Sequence, residues 1–123
     1  RPGATSENAA QLLKSSDPAP QFAATLIQAF IERLHVSPIT LGDYGAVACV
    51  IHPELFTTEV FDVVVDTSQG PARGQTICDR RAPFLKSIEP NDLTDSASVR
   101  VVLDLDVAAV EQLWFKTIDK GWL

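Results

Sequence analysis

Between Gln21 and Leu34, the apolar residues Ala23, Ile27, Phe30, Ile31 and Leu34 recur at i, i+4, i+7, i+8 and i+11. That period puts them along one side of an α-helix, so this stretch must fold as a helix that buries a stripe against something else. A second pattern, incompatible with the first, stands near the other end of the chain. Over residues 98–105, Val99, Val101, Leu103 and Leu105 alternate with Ser98, Arg100 and Asp104, the two-residue period of a strand with one wetter face. A chain that contains both periods is not an all-helical bundle. The expectation is an α/β fold with helices flanking a small group of strands.

The remaining elements follow from local chemistry. Thr5 and Ser6 are good N-cap residues for a short helix from Glu7 to Lys14, which Ser15-Ser16-Asp17-Pro18 interrupts before the long helix begins near Gln21. Residues 36–42 read as a loop bracketed by Pro38 and Gly42. Residues 44–51 are apolar nearly all round, which predicts a buried helix ended by His52-Pro53, although the β-branched content also permits a strand. Val and Phe dominate residues 58–66, and after the turn Ser68-Gln69-Gly70-Pro71 a second strand is expected over 73–79. Residues 82–97, with Pro83, Pro90, Asn91, Asp92 and Asp95, predict a long mobile surface connection. Val107, Val110, Trp114 and Ile118 mark a last helix, capped by Asp106 and stopped near Gly121. Residues 1–123 are read as one segment.

Charge narrows the partners. A formal charge of −6 repels phosphate backbones and anionic headgroups, so neither nucleic acid nor a membrane surface is expected. No apolar run approaches the roughly 18–20 residues that span a bilayer. Cys49 and Cys78 are far apart and lie in apolar stretches, forming neither a CxxC pair nor a zinc motif, which fits a reducing cytoplasm. The chain has no initiator Met and no Met elsewhere, and is expected to be processed or partial.

Among polar residues, Asp43 is the foremost candidate for chemistry, because it follows Gly42 at the start of the apolar run. It has a structural alternative, since an Asp there satisfies free backbone N–H groups and complements the helix dipole. A hard cation such as calcium needs six to eight oxygen ligands, which one Asp cannot supply. Asp62, Asp66, Asp79, Asp104 and Asp106 are spaced as strand-edge and cap residues. His52 is placed to meet free carbonyls at a helix end, and His35 has no Ser or Cys beside it. Arg73-Gly74-Gln75-Thr76 lacks the arrangement of glycines and lysine that cradles phosphate.

Four pieces in order carry a resemblance: Gly42-Asp43-Tyr44-Gly45-Ala46-Val47-Ala48, His52-Pro53-Glu54-Leu55-Phe56, Arg73-Gly74-Gln75-Thr76-Ile77-Cys78-Asp79, and the Val-rich run from Val99 to Asp106. Together they resemble the C-terminal third of the inosine-uridine preferring nucleoside hydrolases, whose pattern there is HD followed by AVA, then PELF, RGxTxxD and a Val-rich strand. The resemblance implies the C-terminal part of a nucleoside-hydrolase-like α/β fold, mainly parallel in the complete enzyme. It also implies an activity that cleaves the N-glycosidic bond of ribonucleosides to ribose and free base. Calcium would grip the ribose 2′ and 3′ hydroxyls and lower the pKa of a water.

In such enzymes most metal ligands come from an N-terminal DxDxGxDD motif, and one more from the Asp of the HD pair. By resemblance that last ligand is Asp43, while the general base has no counterpart. Where the family has the His that helps protonate the leaving base, this chain has Gly42. The implied partners are a ribonucleoside, an N-terminal segment in cis or as another chain, and, in a homo-oligomer, further copies of this chain. The alternative is a non-catalytic binding or structural module derived from the fold.

Overall fold

The structure, a computed structural model, describes residues 1–88 and 96–122. Its contacts gather into two compact units, Arg1–Phe56 with Leu105–Leu123, and Thr57–Asp104.

The first unit is helical with a small ribbon. Strand β1 (Gly3–Ala4) leads into helix α1 (Ser6–Leu12), which opens with Thr5 as N-cap. The Thr5 hydroxyl accepts from the Asn8 backbone N–H at 3.2 Å while the Asn8 side-chain oxygen accepts from the Thr5 N–H at 2.8 Å. This reciprocal box satisfies two donors that the first turn would otherwise leave open. Helix α2 (Pro18–Leu34) starts three residues earlier than the apolar period indicates, because Pro18 has the fixed φ that suits a first helical position. It ends at His35, whose φ of 54° reverses the chain in the left-handed region.

Residues 36–42, expected to be a loop, contain strand β2 (Ile39–Thr40), which pairs antiparallel with β1 as Gly3 with Thr40 and Ala4 with Ile39. Sequence period could not reveal a two-residue ribbon whose strands lie so far apart in the chain. A β-carbon on Gly3 would stand 2.8 Å from the Pro38 β-carbon, so the pairing depends on glycine there. Helix α3 (Gly42–Ile51) follows, then a 3-10 turn at Pro53–Leu55. Helix α5 (Val107–Ile118) closes the unit, its N-cap Asp106 accepting from the Ala109 N–H at 2.9 Å.

The core of this unit joins Ala4, Ala9, Leu12, Ala24, Ile27, Leu41, Phe115 and Trp122. Phe115 and Trp122 stack with ring centroids 4.2 Å apart, and Trp114 meets Phe115 edge-on at 4.8 Å. The α2 stripe is only half used. Ile27 is buried and Ile31 partly so, whereas Phe30 and Leu34 remain exposed and line an open groove of about 570 Å³ with Val36, Pro38, Ile39 and Thr40.

Helix α3 corrects a second expectation. It is a helix, not a strand, but it is not buried: Ala48 is its only buried residue, while Val47, Val50 and Ile51 are exposed. Periodicity reports how apolar a helix is, whereas burial depends on what other chain lies against it.

The second unit is a three-stranded sheet with a short helix. Strand β3 (Phe56–Val65) is central, with β4 (Thr76–Asp79) on one side and β5 (Ala97–Leu105) on the other. This is the expected three-strand group, with the second strand beginning at Thr76 rather than Arg73. The β3–β4 pair is antiparallel, running from Asp62 opposite Asp79 to Val65 opposite Thr76. Helix α4 (Pro83–Ile88) forms where only an irregular connection was expected; residues 89–95 of that connection lie outside the described residues. Phe61 is the one buried hydrophobic side chain described in this unit, and the Arg80 guanidinium lies 5.7 Å from its ring centroid.

Candidate functional site

Asp43 is the second residue of α3 and is exposed. The N-cap position is held by Leu41, which makes no side-chain capping bond. No hydrogen bond or ion pair engages the Asp43 carboxylate among the described residues. The capping alternative therefore reduces to a favourable place near the helix dipole. Immediately behind it Tyr44 packs against the core of the first unit, with its hydroxyl buried and unpartnered.

Gly42, which stands where the resemblance calls for His, opens the helix with nothing within 4 Å of where a β-carbon would lie. Its backbone is outside the left-handed region, so neither space nor conformation demands glycine. The departure from His is thus a difference in chemistry that the fold does not impose.

His52, Glu54, Arg73 and Asp79, from the same four pieces, have structural work. His52 Nδ1 lies 2.9 Å from Glu54 Oε1, so this imidazole meets a carboxylate and not the helix-end carbonyls expected for it. The Glu54 backbone N–H, together with His52, holds the Glu54 carboxyl below its ordinary range. Arg73 donates through Nη1 to the Thr67 carbonyl at 2.7 Å, and Gly74, with φ of 84°, donates its N–H to the Asp66 carbonyl at 2.7 Å. The Arg-Gly-Gln-Thr run therefore closes the β3–β4 hairpin. Asp66 accepts from the Ser68 N–H at 2.8 Å in the same turn.

Asp79 receives Arg81 through Nε at 3.0 Å and Nη2 at 2.8 Å, with Lys86 Nζ at 3.8 Å. The Arg81 guanidinium holds the Asp79 carboxyl well below the usual carboxylate range. Lys86 also reaches Asp62 at 2.9 Å, which ties α4 to β3. Cys49 and Cys78 are both free thiols. Among the described residues no group of three or more His, Cys, Asp or Glu could hold a metal, and no helix is long and apolar enough to cross a membrane. Asp43 alone does not constitute a calcium site, because one carboxylate falls far short of the oxygen ligands that ion requires.

Set beside solved structures, the chain has a nucleoside-hydrolase-like fold. A plant nucleoside hydrolase (PpNRh1) superposes with a TM-score of 0.78 at 20% identity, over 95% of this chain and 37% of that one. A purine-preferring ribonucleoside hydrolase from Gardnerella vaginalis superposes with a TM-score of 0.70 at 25% identity, over 95% of this chain and 35% of that one. The family model for inosine-uridine preferring nucleoside hydrolase matches residues 3–112, and the chain belongs to that family. It spans little more than a third of the length of these solved relatives. No curated protein matches it.

Proposed function

We propose that this chain is part of a ribonucleoside hydrolase, acting on the N-glycosidic bond and contributing Asp43 as one ligand of a calcium site completed by other protein residues. The observation that carries this reading is the Asp43 carboxylate itself: exposed, unengaged by the described residues, and placed at the start of α3 within the matched region. Calcium in such a site would polarise a water and orient ribose hydroxyls. This chain's own part is narrower, namely to hold one anionic oxygen donor on a rigid helix end. Metal ligands from the DxDxGxDD motif and the general base belong to the completing segment, which lies on the same polypeptide or on a second one. The setting is the cytoplasm.

The second reading, a non-catalytic module, is favoured by Gly42, because the fold leaves room for the His that would protonate a leaving base. Loss of a general acid lowers rate by about 10²- to 10⁴-fold. Calcium titration and nucleoside turnover by the complete gene product separate the two. Under the first reading Asp43→Ala abolishes nearly all activity and weakens calcium binding, and Gly42→His raises turnover for nucleosides whose base leaves protonated, with calcium affinity unchanged. No calcium binding and no hydrolysis of inosine or uridine by the complete protein would establish the module.

A further inference from the structure

Helix α4 has little of what ordinarily keeps a helix folded. It is six residues long, well short of the length at which a helix is stable in water by itself. Packing does not make up the difference, because Phe84 is 70% exposed, Ile88 57% and Leu85 41%. Among the described residues, the ion-paired link from α4 to the sheet is Lys86. Its Nζ lies 2.9 Å from Asp62 Oδ2 on β3 and 3.8 Å from Asp79 Oδ2 at the end of β4. The two carboxylates stand opposite each other in the β3–β4 register, so one ammonium spans both strands. They are not equivalent partners. Asp79 is nearly buried and already receives two guanidinium nitrogens of Arg81, whereas Asp62 has Lys86 as its only ion-pair partner among the described residues.

We infer that α4 is a strap latched to the sheet by the charge of Lys86, and that loss of this contact releases α4 while the β3–β4 pair stays formed. The pair survives because neither its ladder nor the Arg81–Asp79 contact passes through Lys86. The latch is weak by construction. The Lys86 side chain is 30% exposed and that of Asp62 47%, and ion pairs in contact with water contribute little and are screened by salt. A short helix held in this way is poised between docked and released. Release also alters a cavity of about 260 Å³, whose lining sets Arg80, Arg81 and Lys86 against Glu59 and Asp79. With Lys86 in place three cations face two carboxylates, and without it the charges balance, so the strap sets whether the cavity favours an anion.

The test is hydrogen exchange of the backbone amides of α4 in the complete gene product, among them Lys86, whose N–H donates to the Ala82 carbonyl at 3.1 Å. Lys86→Gln keeps much of the side chain and removes its charge. It should speed exchange across α4 by about two- to fivefold, the factor that an ion pair of this exposure supplies. Asp62→Asn should reproduce that change, and Lys86→Arg should retain the parent's protection. Raising the salt to about 1 M should loosen α4 in the parent and add nothing in Lys86→Gln. Unchanged exchange in Lys86→Gln would overturn the inference. So would a Lys86→Arg helix as loose as the Gln one, because the alkyl stem and not the charge would then hold α4. Protection lost equally from the β4 amides would overturn it as well, by making Lys86 a support of the whole sheet with no separable strap.

Discussion

The Tyr44 hydroxyl is buried without a partner next to the residue proposed to bind calcium. A buried polar group with no hydrogen bond costs about 1–3 kcal/mol. Tyr44→Phe should therefore leave the isolated chain as stable as before or more stable, and a drop in its thermal midpoint would show that the hydroxyl has a partner. Asp79 gives a prediction of opposite character. Its folded pKa lies below the ordinary 3.8 because Arg81 holds the ionised form, so its contribution is fully present above that pH and fades as pH falls below it. Asp79→Asn should accordingly lower the denaturation midpoint at neutral pH, and the gap from the parent should narrow progressively as pH falls below the ordinary 3.8. A gap independent of pH would mean that the carboxylate's charge is not what Arg81 recognises. Asp79 and Arg73 both lie in the region matched by the family model, and in this chain both hold structure together.

At the scale of elements, the β1–β2 ribbon governs how α3 is presented, because Leu41 bridges them: its N–H donates to the Pro2 carbonyl at 3.0 Å and its carbonyl accepts from the Gly45 N–H at 3.1 Å. The ribbon is tied in turn to α5, where Glu111 accepts from the Gly3 N–H at 2.8 Å. Gly3→Ala would drive a β-carbon to within 2.8 Å of Pro38, and overpacking of that kind costs about 1–3 kcal/mol. Chemical denaturation should record the loss, and protection of the Gly45 amide from hydrogen exchange should fall with it. A fully stable Gly3→Ala chain would show that the ribbon can spread without consequence for α3.

For the molecule as a whole, the described residues hold one candidate cation ligand and no cluster that binds a metal. The 123-residue chain by itself is expected to show no nucleosidase activity, since hydrolysis of this kind needs both an activated water and a base to take its proton. Rigorously purified chain assayed with inosine and uridine tests this, and turnover that survives further purification would show that the site is differently built. The exposure of Phe30, Leu34, Val47, Val50 and Ile51 belongs to the same scale, because no local feature of the chain sets it.

The sequence by itself determined the identity of the main elements, the capping of α1 and α5, and the family. Each of these is written in short-range terms: a period of 3.6 or 2 residues, a Thr or Asp at a helix start, four motifs in order. Only the tertiary structure decided which apolar faces are covered, that residues 39–40 pair with residues 3–4, that His52 faces Glu54, and that the Arg-Gly-Gln-Thr run closes a hairpin. The reason is physical. Period and propensity act within a few residues, whereas burial, ribbon pairing and ion pairing depend on which distant segments meet, and a stripe such as Val47, Val50 and Ile51 reads the same in sequence whether or not anything lies against it.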